Sequence, residues 1–327
     1  HDTTDGAEWP LPTGGNPVRL TPDGTRAVWW DSWGGRADID NLVHIYGADI
    51  RGADARELTA LFGATVPACM PDGARCLVIG RPVKDQALFV LDLLDTVSGT
   101  TLELARGTFL ADATLSPDGR WVAFTLSLNH EQPERNGVFL APTFVEELGR
   151  VKKLEFEGAY RWRPPNRLVY VPMLPDGSNH TVWEMDADGG TSRQLVGPEA
   201  QIRIANSDWS VSPDGGTVVG SSRVDNVFED GHAFMWNADE GLVDLGAMDD
   251  LFSVAWDVSE GGKVIVGEAF SAPFGPTRTG VDAVVKGAGG SINFNPDYIL
   301  EALRVCQMDT IRLDMSDDSM PAKFTLG

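Results

Sequence analysis

The chain alternates short apolar runs with turn-forming residues in a pattern that returns about every 47 residues. The stretches LTPDGTRAVWW, CMPDGARCLVI, LSPDGRWVAFT and VSPDGGTVVGS each place apolar residues on both sides of a Pro-Asp-Gly turn. Because Pro presets φ and Gly accepts a positive φ, each stretch predicts a β-hairpin. The hairpin turns, with two further copies of the pattern, centre on Asp23, Asp72, Asp118, Asn166, Asp214 and Gly261.

A second pair of strands follows each hairpin after a loop of variable length, as in VHIYGADIRGADARELTA and TVWEMDADGGTSRQLVG. Four strands in a repeat of this length are typical of a β-propeller blade. The 327 residues, with 36 Gly and 20 Pro, also favour a large, turn-rich β fold. The sequence therefore predicts an all-β fold, a six-bladed β-propeller of four-stranded blades, over residues 1–291.

Residues 292–327 depart from the repeat and predict a short C-terminal helix plus hairpin. In INFNPDYILEALRV, Asn295 is placed as the N-cap and Pro296 as the first helical residue. Alternating residues then predict strands over 310–315 and 322–326. The domain boundary is expected at residue 291.

The SPDG and MDADG stretches resemble the TolB-like (PD40/WD40-like) β-propeller repeats. Over 207–270, the stretch GHAFMWNADEGLVDLGAM resembles the HAF repeats of extracellular proteins, with His232, Ala233 and Phe234 as the triplet. Both resemblances imply a propeller outside the cytoplasm and imply no particular chemistry. On these resemblances we expect a periplasmic or extracellular location. The first residue, His1 rather than Met, fits removal of a secretory signal, and a cloning truncation would look the same.

The last 36 residues resemble a fragment of the bacterial DNA polymerase III sliding clamp, through an Asn-Pro-x-Tyr helix start and an Arg-Leu strand. Two interpretations stay open: a helix and hairpin that cap the propeller, or a composite chain. A DNA-binding role is disfavoured because 48 acidic and 26 basic residues give a net charge of -22. We expect no nucleic acid partner, and no apolar run predicts a transmembrane segment.

Cys69 and Cys76 flank the turn at Asp72 and are expected to face each other across the hairpin. A disulfide candidate and a pair of small buried side chains are both compatible with that placement.

No motif of a serine hydrolase, phosphate-binding loop, zinc protease or haem site occurs. We therefore expect a non-enzymatic binding or assembly scaffold without a cofactor. Its acidic, aromatic face would consist of the loops between the second and third strands of the blades, and it would bind a protein, a carbohydrate or a second copy of the chain. The candidate binding residues are Trp33, Asp38, Asp40, His130, Glu131, His180, Asp225, Asp230, Phe274 and Arg278.

The alternative function is a metal-assisted propeller lyase or hydrolase that uses His130, His180, His232 and nearby carboxylates. These histidines recur at intervals close to the repeat length, which places them in or beside equivalent loops. Equivalent atoms of adjacent blades lie much farther apart than a ligand bond of about 2.1 Å, so only inward-bending loops would bring them to one metal.

Overall fold

The structure is a computed structural model, and it describes the following residues: 11, 13, 16–31, 41–144, 150–173, 179–200, 202–223, 231–246, 252–263, 265–270, 311–314 and 323–326. For some residues within strands it describes the backbone alone. The chain divides into two compact units, one of His1–Met173 with Val182–Val196 and one of Leu174–Thr181 with Gly197–Gly327. The predicted boundary at residue 291 stays a prediction.

The described residues of the first unit form three antiparallel sheets. The first sheet contains β1 (Val18–Leu20), β2 (Arg26–Trp30), β3 (Leu42–Asp49), β4 (Arg56–Thr65), β5 (Arg75–Pro82), β6 (Phe89–Asp95) and β7 (Thr101–Gly107). The second contains β8 (Phe109–Leu115), β9 (Trp121–Ser127), β10 (Gly137–Pro142) and β11 (Lys152–Lys153). The third contains β12 (Gly158–Arg163), β13 (Arg167–Pro172), β14 (Val182–Asp186) and β15 (Ser192–Val196).

The second unit contains one larger sheet and one hairpin in its described residues. The sheet strands are β16 (Ile204–Val211), β17 (Thr217–Arg223), β18 (Gly231–Asn237), β19 (Gly241–Gly246), β20 (Phe252–Val258) and β21 (Ile265–Phe270). Strands β18 and β20 meet through a single parallel pair, Gly231 with Phe252. The hairpin expected in the C-terminal segment is present as β22 (Ile311–Asp314) and β23 (Lys323–Leu326). The helix expected at Asn295 lies outside the described residues.

The all-β prediction is confirmed, and a hairpin occurs at each of the six predicted turns. Five repeats of four strands are described, namely β1–β4, β4–β7, β8–β11, β12–β15 and β16–β19, and β20 and β21 begin a further one. We call them repeats 1 to 6 in chain order. The blade count of six stays a prediction.

Repeats 1 and 2 differ from the predicted separate blades because they share β4. Residues 56–62 of this ten-residue strand pair with β3, and residues 61–65 pair with β5. Gly63, with φ of 60°, lies at the irregularity in the register between β4 and β5. The chain thus passes between the two repeats without leaving the hydrogen-bonded ladder.

The hairpin turns share a hydrogen-bonded arrangement of a hydroxyl and a carboxylate. In repeat 3, the Ser116 hydroxyl donates to Asp118 Oδ1 (2.6 Å) and accepts from the Trp121 amide (3.0 Å). Asp118 Oδ1 also accepts from the Arg120 amide at 3.0 Å. The same bonds recur in repeats 1 and 5, where Thr21 and Ser212 occupy the position of Ser116. The Ser/Thr-Pro-Asp-Gly sequence therefore supplies the side-chain hydrogen-bond partners of its own turn.

The turns of successive repeats contact one another at one end of the sheets. The Asp118 amide donates to Asn166 Oδ1, and Asn166 Nδ2 donates to Asp118 Oδ2, both at 3.0 Å. Gly119 packs against Pro71 of the preceding turn. Within the second unit, the Gly261 amide donates to Asp214 Oδ2 at 3.1 Å. Because the turns lie together, the loops between second and third strands lie at the opposite end.

Apolar side chains fill the space between consecutive sheets. Ile45 of repeat 1 packs in one cluster with Val78 of repeat 2, and Leu91 of repeat 2 packs in another with Phe124 of repeat 3. Similar clusters join repeats 3 and 4, and repeats 5 and 6. This face-to-face burial of both sides of a sheet supplies the main stabilisation of the repeats.

Cys69 and Cys76 are bonded as a disulfide in the first of these clusters. Both residues are buried, and the two positions also form a β-bridge across the hairpin of repeat 2. Of the two arrangements compatible with the sequence, the structure has the disulfide.

Asp92 is a buried carboxylate in the middle of β6. Its Oδ1 atom has no hydrogen-bond partner among the described residues, and the residue is 7% exposed. Burial raises the pKa of Asp92 to about 6, Glu103 adds to the increase and Arg106 opposes it. An ionised Asp92 therefore destabilises the folded state at neutral pH.

We expect Asp92→Asn to stabilise the protein at pH 8, by about 3 kcal/mol at most, because it removes a buried charge whose pKa is higher in the folded state. The gain should shrink as the pH falls below about 6 and should vanish below 3.8, the ordinary pKa of the carboxyl, where Asp92 is protonated in both states. Urea denaturation of the variant and the wild type across this pH range measures the difference in their free energies of unfolding.

Asp95→Asn is the matched control on the same strand. Backbone amides of Ser98 and Val97 donate to Asp95 and lower its pKa, so this substitution should destabilise the protein at pH 8. Equal effects of the two substitutions would contradict the assignment.

The contacts between turns make a second prediction. Gly119 and Gly24 have nearly the same φ, 71° and 70°, but a Cβ at position 119 would lie 2.6 Å from Pro71 Cδ. At position 24 it would meet no described atom within 4 Å. Gly24→Ala should cost about 1 kcal/mol through φ alone, and Gly119→Ala at least about 1 kcal/mol more through the added clash. Thermal and urea unfolding of both variants would show this difference; equal losses would contradict it.

Candidate functional site

A pocket of ≈ 600 Å³ lies at the loop end of repeats 2 and 3. The connection between β5 and β6 supplies one wall, and the connection between β9 and β10 supplies the other. The pocket residues are Ala87, Leu88, Thr108, Leu128, Asn129, His130, Glu131, Gln132 and Arg135. Its volume lies in the range of small-molecule and side-chain pockets. We call it the loop pocket.

The loop of residues 128–136 is held in shape by two asparagines. The Asn129 amide donates to Asn136 Oδ1 (2.9 Å), and Asn136 Nδ2 donates to the Asn129 carbonyl oxygen (3.1 Å). Asn129 Oδ1 in turn accepts from the Gln132 amide at 2.9 Å, ahead of the 3-10 turn Pro133–Arg135. We call this arrangement the asparagine clasp. It fixes the backbone of a loop whose outer side chains are free to contact a partner.

Two of the predicted binding residues, His130 and Glu131, lie together in the loop pocket, and both are exposed. His180 belongs to the second unit, where its amide donates to the Ile202 carbonyl oxygen at 2.7 Å. The other predicted residues lie outside the described residues: Trp33, Asp38, Asp40, Asp225, Asp230, Phe274 and Arg278.

The three histidines of the alternative metal site lie in different surroundings. His232 lies on β18, and its Nδ1 is 3.0 Å from Asp244 Oδ2. His130 is in the first unit, and His180 is in the second. In the part of the chain that the structure describes, no three His, Cys, Asp or Glu residues form a group that could hold a metal ion. Metal binding by these histidines stays a hypothesis.

A second pocket, of ≈ 410 Å³, lies on the face of repeat 1 opposite its core with repeat 2. Trp29 and Tyr46 stack there with ring centroids 5.7 Å apart. Burial raises the pKa of Tyr46, and the carboxylates of Asp31 and Glu57 raise it further. The sequence analysis missed this group, because its members come from three strands and only the period-two alternation around Trp29 and Tyr46 signals a shared face.

Glu184 is a buried carboxylate that serves the fold. Burial alone would raise its pKa, but hydrogen bonds from Arg163 and Arg193 outweigh burial and lower the pKa. The Arg193 Nε donates to Glu184 Oε1 at 2.7 Å, and Arg163 pairs with Oε2. This ion cluster holds the strands of repeat 4 together and leaves no free acid for catalysis.

Comparison with solved structures identifies the fold. The β-propeller domain of the Trilobed protease from Pyrococcus furiosus superposes with a TM-score of 0.51, at 11% identity, over 81% of this chain and 82% of that domain. The fold is a β-propeller.

The propeller is also similar to TolB from Acinetobacter baumannii, at 20% identity over 69% of this chain, with a TM-score of 0.44. The aligned region spans 53% of that protein, about half its length. An oligogalacturonate lyase from Vibrio parahaemolyticus aligns at 14% identity over 76% of this chain and 86% of its own, with a TM-score of 0.39. No protein-family model and no curated protein matches the sequence. The HAF and sliding-clamp resemblances stay predictions.

No helix among the described residues has the length and apolar character needed to cross a membrane.

The asparagine clasp predicts a local effect of one substitution. Asn136→Ala removes both of its side-chain hydrogen bonds to Asn129, so the loop should open more often without global unfolding. We expect the Asn129 amide to exchange about tenfold faster in native-state hydrogen exchange.

The control is Asn237→Ala, which removes a similar asparagine cap from the turn between β18 and β19. Exchange at Asn129 should be unchanged in this variant. If Asn136→Ala also left that exchange unchanged, the clasp would not control the loop.

Proposed function

We propose that this chain is a non-enzymatic binding scaffold outside the cytoplasm, and that the loop face of the propeller binds a protein partner. The observation that carries the proposal is the loop pocket, where a rigid β frame and the asparagine clasp display the exposed side chains of His130, Glu131 and Arg135. Ordered loops on rigid frames suit recognition because little conformational entropy is lost on binding. TolB-like repeats in the sequence support the same class of function.

The disulfide supports the location. Cys69 and Cys76 are bonded within a buried cluster, and such bonds form and persist in oxidising compartments. The bond therefore favours the periplasm or the cell exterior.

The test compares wild-type protein with Glu131→Ala as baits in the extracytoplasmic fraction of the source cells. A partner captured by the wild type is then purified and titrated by calorimetry. We expect the variant to weaken its binding by about tenfold, since the Glu131 side chain lies in the loop pocket.

Asp239→Ala is the matched control, because Asp239 is also an exposed acid but lies in the turn between β18 and β19. The proposal fails if the control weakens binding as much as Glu131→Ala does. It also fails if the purified protein holds stoichiometric metal and cleaves a polysaccharide with a rate that His180→Ala abolishes; that result would establish the lyase or hydrolase alternative.

A further inference from the structure

Three exposed apolar residues occupy the same position in three successive repeats. Val83, Leu128 and Met173 each directly follow the second strand of repeats 2, 3 and 4, and they are 45 residues apart in sequence. Their exposed fractions are 51%, 53% and 71%. Single exposed apolar residues are ordinary, but the same register in three repeats makes a row. We call this row the apolar arc.

The apolar arc lies at the loop end of the first unit. Contacts between successive turns, such as that of Asp118 with Asn166, place the turns of these repeats at the other end. Leu128 itself lines the loop pocket with Leu88 and Ala87, which widen the apolar surface between repeats 2 and 3. The arc therefore meets the loop pocket at Leu128.

Leu128 is exposed and has an unfavourable backbone conformation. Its φ of 61° lies in the left-handed region, which is strained for a bulky residue. The asparagine clasp begins at the next residue and supplies the hydrogen bonds that keep this conformation. A leucine fixed in this way, with about half of its surface exposed, points to an apolar contact in a complex.

Charge selects the kind of partner. The chain carries a net charge of -22, although the exposed charges near Val83 and Leu128 are of both signs: Asp85, Glu131 and Glu134 with Lys84, Arg135 and Lys153. A second copy of the chain, a nucleic acid and an anionic lipid surface would all be repelled by this field, whereas a basic segment would be attracted.

We propose that the apolar arc docks a basic protein segment whose apolar side chains contact Leu128, Met173 and Val83. This inference rests on the proposed function and names the chemistry of its partner. The net negative charge of the chain attracts the segment at long range, and burial of apolar surface supplies its affinity.

The test uses a short fluorescein-labelled peptide of repeating Lys-Leu-Ser and measures its anisotropy with the purified full chain at about 150 mM salt. The reference peptides repeat Lys-Ser-Ser, with equal charge, and Glu-Leu-Ser, with equal apolar content. We expect Lys-Leu-Ser to bind about tenfold tighter than either reference. The double variant Leu128→Ser, Met173→Ser should remove that advantage.

Val97→Ser is the matched control, since Val97 is 56% exposed but lies in the turn between β6 and β7, away from the loop end. It should bind as the wild type does. Equal binding of Lys-Leu-Ser and Lys-Ser-Ser overturns the proposal, as does an equal loss in the Val97 variant. Self-association of the wild type that the double variant abolishes also overturns it, because the occupant would then be a second copy.

The natural partner separates this inference from the proposed function. If Glu131→Ala weakens binding of that partner and the double variant leaves its binding unchanged, the proposed binding scaffold is supported. The role proposed for the apolar arc is then wrong. If neither changes binding, the loop face itself is wrong. Far-ultraviolet circular dichroism and an unchanged melting temperature establish that each variant is folded.

Discussion

The hydrogen bond between a Ser or Thr hydroxyl and the turn Asp is the interaction on which repeats 1, 3 and 5 depend. It closes their hairpins by satisfying turn amides, as in the bonds of Ser116 and Asp118. The Asp118 carboxylate also accepts a hydrogen bond from the next turn, where Asn166 replaces the usual Asp. One side chain thereby fixes both the geometry within a repeat and the contact between repeats, and the apolar clusters between sheets form on that frame.

The two ends of the sheets perform different tasks as a result. At the turn end, sequence is constrained because the Ser/Thr and Asp side chains of the Ser/Thr-Pro-Asp-Gly unit bond to each other and to turn amides, as Ser212 and Asp214 do. At the loop end, the connections vary in length and composition, and a local device such as the Asn129 and Asn136 pair must stabilise each loop separately. Recognition is best placed where sequence can change without loss of the frame.

How far the sequence predicts this protein depends on the range of the interactions. The hairpins at Asp23, Asp72 and Asp118 follow from turn chemistry over four residues, and the structure has all of them. The bond between Cys69 and Cys76 could not be decided, because the sequence places the pair but not the side-chain geometry.

Other features could not be predicted from the sequence, because they depend on contacts between separate strands. The sharing of β4 depends on how its second half meets β5, which no local pattern encodes. The pocket at Trp29 and Tyr46 likewise required the registers of β2 and β3. The apolar arc was visible as a 45-residue spacing of Val83, Leu128 and Met173, but only exposure distinguishes such a spacing from a buried repeat position. The continuity of β4 also limits how this architecture could be rearranged, because new chain ends for a circular permutant would sever a paired ladder there.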